Sequence, residues 1–558
     1  MGANGTKRTG GELMVDTLSA NGATLAFGVP GESFLAVLDG FYGSNQMEFV
    51  ISRQEGGAAM MADAYGKLTG RPGICFVTRG PGATNASPGV HIAYQDSSPM
   101  ILFIGQVGRS MLDREAFQEI DYRRMFGQMS KWTAEISDAA RIPEYVNRAF
   151  HVATSGRPGP VVLALPEDML RDRVAKPEMV PARRVPIAPG TDALGRLRQL
   201  LAAAERPLLM LGGRGWDQAA CEAIRSFAEA NHLPVTCAFR YQDLFDNDHP
   251  LYAGDVGLGL NPKLAERIGE ADLVLAVGPR LGEITTSGYT LFEPPWPQQK
   301  LVHVHAGVEE LGRVYEPELA INASMTGFAK ALGEIEPVHA TWHAWTNGAR
   351  ADFEAWSTPT LSAGDVQLSQ IVTWLRDNTP DDTIICNGAG NYATWVHRFY
   401  RYRRHGTQLA PTSGSMGYGT PAAVAAKLVH PDRTVIAFAG DGCFMMNGQE
   451  IATAVQYDAN IVVVVVANNR MLGTIRMHQE RAYPGRVVGT DLINPDFAAL
   501  AQAYGAHGER VSRTEDFAGA FERALNAGRP ALIELEIDPE ALTPGAGLSA
   551  IREAAQNS

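Results

Sequence analysis

The sequence predicts an α/β protein built as three doubly wound parallel-sheet domains in tandem, and three observations predict it. The chain has 558 residues, too many for one hydrophobic core; at about 100–200 residues per domain, about three are expected. Short runs rich in Val, Ile and Leu alternate with stretches of helical period through most of the chain, and strands alternating with helices imply a parallel sheet covered on both faces. Glycine-rich turns follow several of these runs, at the end of the strand where open parallel sheets bind ligands.

Taken in order, Thr24 to Val29 reads as a strand and Ser33 to Phe41 as a helix, with Phe34, Leu35, Val37, Leu38 and Phe41 at helical spacing. Phe49 to Ser52 is a short strand, Glu55 to Leu68 a helix of small residues and Ile74 to Thr78 a strand. A glycine-proline turn and a helix to Tyr94 follow, then the strand Met100 to Gly105. Four prolines between Lys176 and Thr191 (Pro177, Pro181, Pro186, Pro189) mark a linker. Leu208 to Leu211 and Leu273 to Val277 are the clearest strands of a second unit. Ala340 to Ala363, with Trp342, Trp345 and Trp356 in a polar context, reads as a second linker. The third unit has strands at Thr383 to Cys386, Thr434 to Phe438, Ile461 to Ala467 and Ala531 to Ile537. Domains are therefore expected at residues 1–180, 190–340 and 360–558.

The composition narrows the partners. Apolar residues are 45% and charged residues 20% of the chain, an ordinary globular balance. The formal net charge of −13 argues against nucleic acid, which needs a basic surface. Five scattered cysteines without CxxC spacing argue against zinc or a disulfide framework and fit a reducing cytoplasm. No apolar run reaches the ~18 residues of a membrane span. The first residues, Met1-Gly2-Ala3-Asn4-Gly5-Thr6, read as a loose polar terminus rather than a lipidation signal, and no apolar core of a signal peptide follows.

The deciding motif lies in the third unit. Gly440-Asp441-Gly442 ends one strand, and Asn468-Asn469 ends the very apolar next one. Gly440 and Gly442 let backbone approach phosphate oxygens closely. Asp441 offers a hard carboxylate and an asparagine a second oxygen, the ligand types magnesium shares with phosphates. The helix after Gly442 points its N-terminus at the anion.

This pair of motifs resembles the signature of thiamine-diphosphate-dependent enzymes. The resemblance implies a first domain for the cofactor's pyrimidine, a central domain, and a third for its diphosphate. It implies that Asp441, Asn469 and the backbone carbonyl of Met471 hold Mg2+. Asn469 is preferred because Arg470-Met471-Leu472-Gly473 then aligns with the family's turn; Asn468 is the alternative. Ile51-Ser52-Arg53-Gln54-Glu55-Gly56-Gly57 resembles the segment around the glutamate that activates the cofactor through its aminopyrimidine. Thr78-Arg79-Gly80-Pro81-Gly82-Ala83-Thr84-Asn85 and Pro30 are similar to positions beside that ring. Gly414-Ser415-Met416 resembles the stretch that bends the cofactor, with Met416 wedged between its rings. Ala389-Gly390-Asn391, Cys443, Leu472 and Gly473 would complete the cofactor's cradle.

The likeness spans nearly the whole chain and is nearest to the acetolactate-synthase-like branch, through Phe117-Gln118-Glu119 and the run from Gly440 to Glu450. It implies decarboxylation of a 2-oxo acid with carboligation to a second carbonyl, in a homodimer or homotetramer whose active sites cross the subunit interface. Simple 2-oxo acid decarboxylation, lysis of a 2-hydroxyacyl- or oxalyl-CoA thioester, and a catalytically silent regulator are the alternatives. Glu55 is the expected activator; Gln106, Gln118 and His478 are expected to orient the acceptor or stabilise an alkoxide. Two departures stand out. Gln54 replaces the family's histidine before the glutamate, and His478 replaces a tryptophan. In the central domain Leu211-Gly212-Gly213-Arg214-Gly215 looks like a nucleotide-type turn and Val277-Gly278-Pro279-Arg280 resembles an FAD-contacting stretch, but the aromatic and the aspartates that should follow Arg280 are missing, so tightly bound FAD is not expected. Leu542 to Leu548, with its proline and glycines, has the composition of a mobile lid over the site or of an inert tail.

Overall fold

The computed structural model describes residues 7–465 and 469–557. Its strands are β1 (Lys7–Thr9), β2 (Leu25–Gly28), β3 (Glu48–Ile51), β4 (Gly73–Val77), β5 (Met100–Gln106), β6 (Trp132–Glu135), β7 (Pro160–Pro166), β8 (Arg173–Ala175), β9 (Pro207–Leu211), β10 (Val235–Cys237), β11 (Tyr252–Asp255), β12 (Leu273–Val277), β13 (Lys300–His305), β14 (Leu319–Asn322), β15 (Ile384–Asn387), β16 (Gln408–Leu409), β17 (Val435–Ala439), β18 (Val462–Val465), β19 (His507–Val511) and β20 (Ala531–Leu535). β1 and β8 form a small antiparallel pair. The others build three six-stranded sheets, ordered β3-β2-β4-β5-β7-β6, β11-β10-β9-β12-β13-β14 and β16-β15-β17-β18-β20-β19. Every pairing within them is parallel.

The predicted α/β class holds because the central strands are buried at every position. β4, β5, β12 and β17 expose nothing, as strands with helices on both faces must. In each sheet the chain winds outward one way and then the other. The reversals fall between β2 and β4, β9 and β12, and β15 and β17, and these crevices are where such sheets take ligands.

Packing divides the chain into two compact units. One comprises Met1–Val185, Val424–Pro431 and Asn447–Ala459; the other comprises Pro186–Ala423, Asp432–Met446 and Asn460–Ser558. The first unit holds the β3-to-β6 sheet, with Phe76 and Phe103 stacked 4.8 Å apart in its core. Lys67, also buried there, is held by Asp63 and Asp96.

One element differs from the reading of the sequence. The stretch expected as a second linker contains the helix His343–Trp356. Its buried stripe is only Thr346, Ala349 and Phe353, too sparse to stand out among polar neighbours. Trp342 and Trp345 are anchored instead by indole N–H bonds to the carbonyls of His232 (3.0 Å) and Pro207 (2.9 Å). The proline-rich stretch has no regular structure until the helix Thr191–Ala202. Ala467, Asn468 and the Met1-to-Thr6 terminus lie outside the described residues. Among the described residues no helix is long and apolar enough to cross a membrane.

Candidate active site

At the β15/β17 crevice, two turns face each other. After β15 the chain runs through Gly388, Ala389, Gly390 and Asn391 into the helix Tyr392–Phe399; after β17, Gly440 leads into the helix Asp441–Asn447. The turns are tight enough to require glycine. A Cβ on Gly390 (φ +145°) would lie 2.8 Å from the Tyr392 ring, and one on Gly388 would lie 2.6 Å from Cys443 Sγ. Tyr392 Oη accepts from Gly388 N (3.0 Å) and sits 3.4 Å from Cys443 Sγ, which also accepts from Gly417 N (3.2 Å). Cys443 thus ties together three loops. All of the residues expected to contact cofactor between Ala389 and Gly473 line one cavity here. Gly414 enters it with φ +67° and open space beside it. Tyr392 and Trp395 line it too, unannounced by their sequence context, as does Leu542 from the segment with lid-like composition.

Burial pushes the Asp441 carboxyl up from its usual range. The Asn494 amide (2.8 Å to Oδ2), Gly442 N (2.7 Å to Oδ1) and the backbone N–H groups of Arg470 and Met471 act in the opposite sense. Asn469 is buried beside it. The central sheet's segment after β10 braces the same turns. Arg240, buried and at φ +65°, donates to the carbonyls of Gly388 (2.8 Å) and Pro411. Asp243 accepts from Gly406 N, Thr407 N and Gln408 N at 3.0–3.2 Å. At the central sheet's own crevice the turns after β9 and β12 are pressed together: a Cβ on Gly213 would lie 2.0 Å from Gly278 O. Arg280 is 3.2 Å from Glu310.

His478 is exposed on the helix Gly473–Ala482 and does not line the cavity. Arg476, on the same helix, bonds Glu480 (3.1 Å) and Asp491 (3.4 Å). Glu480 is buried, and the guanidinium of Arg552, Gly485 N and Arg476 hold its carboxyl down at about 2. Arg552 belongs to the C-terminal helix Leu548–Gln556, so the segment expected as a lid ends in a helix fastened by this triad.

In the first unit, β3 leads through Ser52, Arg53 and Gln54 into the helix Glu55–Thr69. Gln54 is its N-cap, accepting from Gly57 N at 3.1 Å. Glu55, half-buried in the first turn, accepts from Asn85 Nδ2 at 3.0 Å. Asn85 lies on the helix Pro81–Gln95, which Pro81 opens after Gly80 at φ +51°. Pro30 is exposed after β2. Gln118 sits at φ +66° against the Gly80 turn, where a Cβ on Gly80 would meet its own Cβ at 2.8 Å. Gln106 is buried, with Nε2 donating to Ile120 O and Oε1 accepting from Val107 N, both at 3.0 Å. The structure therefore brings together Glu55 and Asn85, and sets Gln118 beside the turn that precedes Pro81. It uses Gln106 to pin the loop that carries Gln118.

Two residues missed in the sequence support this half. Arg79 donates to Phe117 O (3.1 Å) and pairs with Glu32 and Glu167, fixing the Gln118 loop from behind. Glu450 is fully buried and accepts from Arg53 N (3.1 and 3.2 Å), Gln54 N (3.1 Å) and Thr453 Oγ1 (2.6 Å). Burial pushes its carboxyl up. A lone charge in an apolar helix was the available signal for Glu450; Arg79, inside the motif from Thr78 to Asn85, gave none.

Three family models match the chain in order: the thiamine pyrophosphate enzyme N-terminal TPP binding domain at residues 8–125, the central domain at 194–332 and the C-terminal TPP binding domain at 388–535. Fold and matches define a thiamine-pyrophosphate-dependent enzyme. Among curated proteins, the acetolactate synthase isozyme 2 large subunit of Escherichia coli is 31% identical over 95% of this chain and 95% of its own. The acetolactate synthase large subunit of Corynebacterium glutamicum is 32% identical over 96% of this chain and 88% of its own. The acetolactate synthase catalytic subunit, mitochondrial, of Saccharomyces cerevisiae is 28% identical over 95% and 81%. The chain belongs to the thiamine pyrophosphate enzyme family, in its acetolactate-synthase-like branch.

Proposed function

We propose that this enzyme decarboxylates a 2-oxo acid and joins the remaining fragment to a second carbonyl, using thiamine diphosphate held through Mg2+. The observation that carries the reading is the β15/β17 cavity, which gathers a buried carboxylate, an amide and several bare glycine turns. That donor set fits. Asp441, Asn469 and the Met471 carbonyl are hard oxygen ligands of the kind magnesium takes, with the rest left to phosphates. Among the described residues no three of His, Cys, Asp and Glu gather to hold a metal, so a site shared with a diphosphate suits this chain better than a protein-only cage. When bound, the cofactor would supply a nucleophilic carbon and, in its positively charged thiazolium ring, an electron sink.

The chain's own residues position and protonate. Glu55 would share a proton with the pyrimidine N1′, and Asn85, bonded to its carboxylate, would hold the orientation. The Gly414 carbonyl would accept from the pyrimidine amino group, and Met416 would fill the bend between the rings. Pro30 and Pro81 would flank the pyrimidine. Gln118 would orient the acceptor, with Gln106 and Arg79 fixing its loop. The central domain would carry no tightly bound FAD, in keeping with the appressed turns after β9 and β12, so purified protein should show no flavin absorbance. The reading includes a homo-oligomer in a cytoplasmic setting, with each Glu55 serving a cofactor bound by a partner subunit.

The test has two arms. Thiamine diphosphate is titrated calorimetrically into apo-protein with and without Mg2+, for wild type and Asp441→Ala; binding should require Mg2+ and vanish in the variant. Products from a panel of 2-oxo acids, alone and in pairs, should then include a hydroxyketone. Aldehyde as the sole product would replace carboligation with simple decarboxylation, and turnover only of a CoA thioester would replace both.

A further inference from the structure

We propose that Asn494 is a positioning residue of the metal site, its carboxamide fixing the carboxylate of Asp441. The inference rests on the reading of Asp441 as a metal ligand. Asn494 Nδ2 donates to Asp441 Oδ2 at 2.8 Å. The other donors to this carboxylate, Gly442, Arg470 and Met471, are all main-chain N–H groups. Among the contacts described for Asp441, Asn494 is thus the side chain that substitution can remove.

Asn494 does not reach Asp441 from a loose loop. On its N-terminal side, Leu472 N donates to Thr490 O and Leu492 N to Arg470 O, both at 2.8 Å, around an antiparallel bridge between Met471 and Asp491. These bonds lay the segment before Asn494 along the turn that carries Asn469 and Met471. On its C-terminal side, Asp496 caps the helix Phe497–Ala503 through Ala499 N (2.9 Å). Phe497 packs edge-on against Phe444, ring centres 5.6 Å apart. Phe444 lies on the helix that Asp441 opens. The amide is therefore held to both the Asp441 helix and the Asn469 turn, and a shift of either would move it.

The chemistry suits the role. Hydrogen bonds to a ligating carboxylate decide which lone pairs face the cation, and losing such a partner typically weakens metal binding by about 10–100-fold. A neutral donor is the right kind here. It directs a hydrogen bond at the carboxylate without the repulsion that a lysine or arginine at this place would exert on a divalent cation.

The experiment follows Mn2+ by electron paramagnetic resonance as it is titrated into protein saturated with thiamine diphosphate. Wild type, Asn494→Ala and Asp441→Ala are compared, with folding checked by circular dichroism. The expected result is a Kd for Mn2+ raised about 10–100-fold in Asn494→Ala and binding lost in Asp441→Ala. Asn494→Ala within about twofold of wild type, with Asp441→Ala deficient, overturns the role of Asn494. Normal binding by Asp441→Ala overturns the assignment of Asp441 itself. Asn494→Asp keeps the shape but replaces the donor with a second carboxylate. Its Tm in EDTA should fall below wild type, and Mg2+ with thiamine diphosphate should narrow the gap. No gap in EDTA overturns the proposal even if the alanine variant does not fold.

Discussion

At the residue scale the first unit depends on a carboxylate that takes no substrate. Glu450 satisfies the amides of Arg53 and Gln54, the two residues before Glu55, and Gly57 leaves room for it: a Cβ there would lie 2.7 Å from Glu450 Oε1 and 3.1 Å from its Cγ. Glu450→Ala would remove the acceptor of two part-buried N–H groups, at a cost of up to ~1–3 kcal/mol each. Urea unfolding should read that loss, and amide exchange at Arg53 and Gln54 should accelerate. Gly57→Ala should cost ~1–3 kcal/mol by overpacking, and less when combined with Glu450→Ala, because the clash and the carboxylate disappear together. Additive losses in the double variant would show that the two positions do not meet. Gln54 fits this frame as an N-cap. That accounts for a glutamine at this place on structural grounds, whereas the sequence presented it only as a missing histidine.

At the element scale the pieces legible in the sequence were those with a short-range signature. β5 and β12 are continuous apolar runs, and the helix Glu55–Thr69 starts and ends within a residue or so of its expected span. The helix His343–Trp356 was not legible, because its anchors are indole bonds to distant carbonyls rather than a periodic stripe. The same holds for the fastening of the C-terminal helix. Glu480 and Arg552 meet with bonds of 2.8 and 2.6 Å across 72 residues of sequence, and no local pattern links them. This pair has a pH signature. The Glu480 carboxyl is held at about 2 against its ordinary 4.5, so its contribution is complete above about pH 4.5 and drains away as the pH falls toward about 2. Hydrogen exchange in Leu548–Gln556, corrected for intrinsic rates, should be slow at about pH 6 and faster at about pH 3. In Glu480→Gln it should already be fast at the higher pH and change little on acidification. Equal protection in variant and wild type at the higher pH would show that the helix is held by its apolar contacts alone.

For the whole molecule, the architecture and the cofactor class were readable because both rest on repeated local signals: three strand–helix alternations and two glycine-rich motifs placed after buried strands. What the sequence did not carry was the support behind the motifs. Arg240 braces the Gly388 turn from another sheet, Asn494 reaches Asp441, and Glu450 lies far along the chain from the amides it holds. Each is a long-range polar contact with no sequence period. The proposed homo-oligomer raises a question at this scale, namely which subunit's glutamate would serve which cofactor, and mixing variants answers it. On the proposed roles of Glu55 as activator and Asp441 as metal ligand, Glu55→Gln and Asp441→Ala should each be nearly inactive on their own. If sites are shared between partner subunits, dissociating an equal mixture and reassociating it as dimers puts both variants into about half of the dimers, and each mixed dimer owns one site with both residues intact. Specific activity should then recover to about a quarter of wild type, rising with the time allowed for exchange. If Glu55 instead serves the cofactor of its own chain, every site in the mixture lacks one residue or the other and no recovery occurs at any ratio. Recovery with Glu55→Gln and Asp441→Ala as partners, but none when either is mixed with the double variant, would exclude contamination as its source.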